Sequence, residues 1–125
     1  GHGINTFMKV FQSYRGESVG PTYAHNCFIQ LAAETGITGL FCFLWIVAKT
    51  FHESLGKLKS NFAKDRSLGA LTVGLLAGIF AFLIHSFFDT HFYSLQLSVY
   101  LWFVVGVLVA TCKMSDAIEE RKIGF

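Results

Sequence analysis

Residues Leu68–Phe88 read LGALTVGLLAGIFAFLIHSFF, and residues Phe92–Cys112 read FYSLQLSVYLWFVVGVLVATC. Only Asp89-Thr90-His91 separates the two runs, and neither contains Lys, Arg, Asp or Glu. Each run is 21 residues long. A helix needs about 20 residues to cross an apolar layer of about 30 Å. Backbone amides and carbonyls in such a layer find partners only within helices or closed barrels. The strict alternation of a barrel strand is absent, so the runs predict membrane-crossing helices. Gly36–Phe51 is a third apolar stretch, interrupted by Lys49. It reaches a spanning length if its helix runs on to about Ser54 or starts before Gly36. Lys49 sits near one end, where its stem can follow lipid while the amine reaches water. The fold expected is all-α: a membrane helical bundle with three transmembrane helices, preceded by an interfacial helix on the outer face.

Composition agrees. Of 125 residues, 53% are hydrophobic and 14% charged, where soluble domains carry roughly 25% charged residues. Phe occurs 14 times, Pro once, and mean hydropathy is +0.51. Disorder requires the opposite balance. No Gly-X-Y period exists. A net charge of +2 with a pI near 8.5 is too weak for a nucleic-acid-binding face. A small soluble domain buries only about 60% of its unfolded surface and could not hide this much apolar area. Cys27, Cys42 and Cys112 are odd in number and lack metal-ligand spacing, so free thiols are expected. The sequence opens on Gly1 with no visible signal peptide and reads as an internal or C-terminal portion of a longer protein.

Basic residues set the orientation. The predicted loop at about 52–67 holds Lys57, Lys59, Lys64 and Arg66, with Lys49 at its edge. The predicted tail at 113–125 holds Lys113, Arg121 and Lys122. These are eight of the ten Lys and Arg residues. Loop and tail are therefore expected in the cytoplasm, flanking spans within 36–112. Residues 1–35 and the Asp89 turn face outward, to the periplasm in a Gram-negative cell. Phe87, Phe88, Phe92 and Tyr93 flank that turn as an aromatic belt would.

The outward segment is the informative one. From Ala24 to Thr35 the residues favour helix, with Pro21 and Gly36 as start and stop signals. On such a helix His25, Ile29, Ala32 and Gly36 share a face. His25 is then the first-turn histidine of a helix leading into a span.

This stretch resembles the O-antigen ligase and O-antigen polymerase superfamily. The family marker is His, then Asn, Ser or Gln, nine residues, Gly, two residues, then Gly, Thr or Tyr. His25, Asn26, Gly36 and Gly39 occupy those positions. The Glu34-Thr35-Gly36 step and Gly39-Leu40 entry also fit. So do Gly1-His2-Gly3 with Phe7, and His85-Ser86-Phe87-Phe88-Asp89 at the outer end of a later helix. The resemblance runs from about Gly1 to about Val109. It implies a many-helix bundle of the GT-C kind that needs no metal or other cofactor. The implied reaction moves a glycan from undecaprenyl diphosphate to an acceptor hydroxyl, on a lipid A-core sugar for ligases or another lipid-linked glycan for polymerases. The matching histidine, His25, is implied as general base, a task that a neutral imidazole suits near neutral pH.

Other assignments stay open. Asn26 orients substrate or His25, or caps the helix. Gly36 and Gly39 permit a bend and close packing. Glu34 reads as a structural pairing residue near the interface, with a catalytic part as the lesser alternative. Arg15 is the sole outward arginine and the local candidate for diphosphate contact; Lys9 is a lesser one. Tyr14 and Tyr23 anchor at the interface or stack on sugars. His85 and Asp89 are four apart and share a face if helical. No His/Asp/Glu triplet has metal spacing, and no dinucleotide or phosphate-loop pattern occurs. The partners expected are the lipid-linked donor, the glycan acceptor and the membrane, with no nucleic acid. A transporter or structural membrane subunit is the alternative class.

Overall fold

A computed structural model describes residues 1–4, 6–15, 25–90 and 93–123. Among these residues four helices follow in order: α1 (Phe7–Arg15), α2 (Cys27–Lys64), α3 (Arg66–His85) and α4 (Leu95–Ile123). No strand occurs among the described residues. Among them, three helices are long and apolar enough to cross a membrane: Cys27–Lys64, Arg66–His85 and Leu95–Ile118. Phe41, Trp45, Phe80 and Phe103 stand exposed on them, as side chains facing lipid would.

The chain divides into two compact units. One comprises Gly1–Ile46 and Leu83–Ser98, the other Val47–Phe82 and Val99–Phe125.

In the first unit α2 is broken. Gly36 has φ 81° and ψ 171°, a backbone region essentially reserved for glycine. Phe28 and Phe43 lie on either side of this break. A straight helix would hold residues 15 apart at roughly 22 Å along its axis, yet the two ring centres are 6.3 Å apart. The short arm 27–35 therefore folds back toward the start of the longer arm. The arm also begins later than the sequence suggested. Asn26 Oδ1 accepts the amides of Phe28 (2.9 Å) and Ile29 (3.1 Å), and its carbonyl accepts Gln30 N–H. Asn26 is thus the N-cap, and the helix starts at Cys27. His25 precedes it with φ 46°, so His25 and Gly36 are not members of a shared helical face. Pro21, Ala24 and Tyr23 lie outside the described residues.

In the second unit polar residues recur on one side of α2. Ser54 takes a long contact from Cys112 Sγ (3.6 Å), and Lys57 pairs with Asp116. Asn61 Nδ2 donates to Thr72 Oγ1 (3.0 Å), and Lys64 Nζ donates to the carbonyl and hydroxyl of Ser115 (2.7 and 3.0 Å). Spacings of three, four and three put residues 54, 57, 61 and 64 on one face. Leu101, Leu108 and Ser115 form a buried line of α4 at seven-residue spacing, and Gly69, Thr72, Leu76 and Ile79 are the buried stripe of α3.

Two boundaries differ from expectation. The polar stretch 52–67 is not a loop: helix continues through Lys64, and Asp65 alone separates α2 from α3. Leu55, Leu58, Lys57 and Lys59 favour helix, and the polar side chains on that face find partners on the neighbouring helices. The charged tail is helical as far as Ile123. None of the three cysteines forms a disulfide; Cys27 and Cys112 are buried and Cys42 is exposed.

Candidate functional site

The first unit gathers the residues singled out above around the short arm of α2, which is fastened at both ends. At its start Cys27 is fully buried. Its amide donates to Ser86 O (2.9 Å) and its thiol to Asp89 O (3.0 Å). Phe28 packs on Phe87, with ring centres 4.5 Å apart. The turn after α3 is itself closed by Phe87 N–H to Ile84 O and Phe88 N–H to His85 O. Since α3 ends at His85, Asp89 lies in that turn and does not share a helix face with His85.

At the far end of the arm, the Gly36 break interrupts the regular helical ladder. Carbonyls that would serve the next turn are taken by the N-terminal stretch. His2 N–H donates to Ala33 O (3.1 Å) and Gly3 N–H to Glu34 O (3.0 Å). The approach is close: a Cβ on Gly1 would strike the backbone of Glu34 and Gly36, and one on Gly36 would lie 3.2 Å from Gly1 N. Gly39 is crowded in a different way, since a Cβ there would collide with the Thr35 side chain. Gly36 thus serves backbone geometry, and Gly39 leaves room for the Thr35 side chain.

Glu34 is the hub. Its residue is only 3% exposed. Oε1 accepts Phe7 N–H (3.2 Å) and Gln30 Nε2 (3.3 Å), while Oε2 accepts the Tyr93 hydroxyl (3.1 Å). Phe7 opens α1, whose first amides have no partner within the helix. A carboxylate there satisfies one of them and meets the positive end of the helix dipole. Burial first, then the Glu34 charge and hydrogen bond, raise the Tyr93 phenol above its ordinary range. Tyr93 therefore stays protonated and donates. Gln30 Oε1 is buried without a hydrogen-bond partner among the described residues.

His25 and Asn26 stand at the opening of this arrangement. His25 is exposed, directly before the capped helix. Arg15 closes α1, and its side chain lies outside the described residues, as do His91 and Phe92. Lys9 and Tyr14 are exposed on α1. Among the described residues no cluster of three or more His, Cys, Asp or Glu could hold a metal ion.

No known family, curated protein or solved structure matches this chain.

Sequence reading placed Glu34 near the interface as a pairing residue but did not find its partners. Gln30 lies one turn away, within local helix spacing, whereas Phe7 and Tyr93 lie 27 and 59 residues away, beyond any local spacing rule. The double anchorage of Cys27 was also missed. The signal available was its position immediately after a capping residue, where an unsatisfied amide needs an acceptor.

Proposed function

We propose that this chain carries the acceptor-activating outer segment of a bacterial membrane glycosyltransferase of the O-antigen ligase kind. The parent would be a multi-pass bundle of the GT-C kind in the inner membrane. Its substrates would be an undecaprenyl diphosphate-linked glycan and a lipid A-core sugar hydroxyl, or a second lipid-linked glycan in the polymerase version. The orientation rests on the eight basic residues, which assign the His25 segment to the periplasmic side.

One observation supports the reading above the rest. Each position of the His25-Asn26-Gly36-Gly39 motif has a distinct part in one structure: an exposed imidazole, a helix cap, a glycine-only break and a close approach. In the proposed step His25 takes the proton of the acceptor hydroxyl. The freed oxygen attacks the anomeric carbon, the bond to the carrier diphosphate breaks, and its electrons leave with the diphosphate. A single displacement inverts the anomeric carbon. Arg15 is assigned to the diphosphate, because guanidinium geometry matches phosphate oxygens. The membrane layer holds the isoprenoid carrier, so donor and acceptor meet at its outer surface. The 125 residues alone are expected to be inactive, since three spans do not enclose a bundle.

The test is complementation. A ligase- or polymerase-deficient host receives the full-length gene, wild type or His25→Ala. The proposal expects surface glycan with the first and none with the second. Undiminished glycan with His25→Ala removes His25 from the mechanism.

A further inference from the structure

We propose that Glu34 is the positioning residue of this site, holding the His25-bearing arm in register with the two segments packed against it without touching substrate. The inference rests on the glycosyltransferase reading and goes further, because it names what fixes the geometry.

The short arm is strapped twice to residues 86–93. Cys27 meets Ser86 and Asp89 at one end, and Glu34 meets Tyr93 at the other. Both straps run in the same chain direction, Cys27 to residues 86 and 89 and Glu34 to residue 93. Losing either strap frees that end of the arm. The Glu34 strap carries more, for the same carboxylate also caps α1 through Phe7 N–H. Its own carbonyl receives Gly3. The N-terminal stretch, α1 and the start of the Tyr93 segment therefore converge on a single residue, and all three lie close to the Gly36 break.

Glu34 is seven residues from Cys27, the first residue of the arm, about 10 Å along a helix, and His25 lies beyond that start. That separation, together with its burial, keeps it off the acceptor hydroxyl. Its effect reaches His25 through the rigid arm. Misplacing a reacting group by about 1 Å can cost about 100-fold in rate, so a loosened arm would depress turnover more than binding. Gln30, one turn earlier, donates its amide to the Oε1 that also accepts Phe7 N–H.

The experiment uses the full-length protein in lipid nanodiscs, with kcat and KM for the lipid-linked donor normalised to folded enzyme. Amide hydrogen exchange is read on residues 1–10 and 86–94. Glu34→Ala is expected to lower kcat about tenfold or more, leave KM within about threefold, and speed exchange in both segments. Glu34→Gln keeps two acceptor contacts and the shape of the side chain, and it should recover much of the loss. If Glu34→Ala fails to insert, Tyr93→Phe removes one bond of the three and carries the same test, with a smaller fall in kcat. Wild-type kcat in Glu34→Ala, or in Tyr93→Phe where that variant stands in, overturns the positioning role and leaves the transferase reading intact. A wild-type protein that transfers no glycan overturns both.

Discussion

The two units of this chain are joined internally by different means. In the second, regular helices meet through side chains spaced three, four or seven residues apart. In the first, irregular backbone is bound to helix ends, and one buried carboxylate receives an amide and a phenol from distant parts of the sequence. A seam of side chains along regular helices spreads its contributions over many pairs. A hub concentrates them. The first unit should therefore respond sharply to single substitutions that the second absorbs, and the unit built this way is the one that presents His25.

Gly36→Ala should cause the largest change. The residue sits in a glycine-only region of backbone space and lies against Gly1. Forcing a side chain there costs about 1–3 kcal/mol from backbone strain, and relief by straightening would release His2 and Gly3. Denaturant unfolding of the full-length protein in detergent measures the loss. A stability equal to wild type would show that the break is not a fixed feature.

Tyr93→Phe comes next. Hydrogen bonds to charged groups are worth about 1.5–3 kcal/mol, and the partly exposed phenol puts this one at the lower end. It also has a pH signature. The folded phenol holds its proton more tightly than the unfolded one, whose value is near 10. This contribution is fully present below about pH 10 and is lost as pH rises toward the folded value. Stability measured across that range should fall more steeply for wild type than for Tyr93→Phe. Parallel curves would remove the Glu34–Tyr93 bond from the account.

The second unit should be more tolerant. Asn61 is fully buried and its Oδ1 has no hydrogen-bond partner among the described residues. Thr72 Oγ1 retains its bond to Leu68 O when the asparagine amide is gone. Asn61→Leu should therefore change unfolding stability by less than about 1 kcal/mol in either direction. A loss above about 3 kcal/mol would make this seam as concentrated as the Glu34 hub and erase the contrast. The smallest effect is expected for Lys57→Ala. Its ion pair with Asp116 joins side chains 37% and 51% exposed, and such pairs contribute about 0–1 kcal/mol. Transfer activity should be unchanged.

What could be read from the sequence follows the same division. Three apolar helices were legible because lipid demands length and an absence of charge, and both are visible locally. The Gly36 break was legible as a stop signal, and Asn26 was legible as one of two roles. The helical continuation through residues 52–64 was not, since polar residues there looked like solvated loop until their partners on α3 and α4 were in place. His25 was put on the helix because Ala24, Leu31 and Ala32 favour it, but the Asn26 side chain competes for the first amides and begins the helix at Cys27. Glu34 was legible as a residue but not as a hub. Propensity and periodicity describe neighbours in sequence, whereas its partners are brought together by the reversal at Gly36 and the turn after α3.

The central claim is that the arm exists to present His25 to an acceptor hydroxyl. The most direct measurement is transfer in vitro by the purified full-length protein, from an undecaprenyl diphosphate-linked glycan to its acceptor, comparing wild type with His25→Ala. Loss of a general base should lower kcat about 100-fold or more, with donor KM nearly unchanged because the imidazole is assigned to the acceptor. A His25→Ala enzyme within about threefold of wild type would contradict the account.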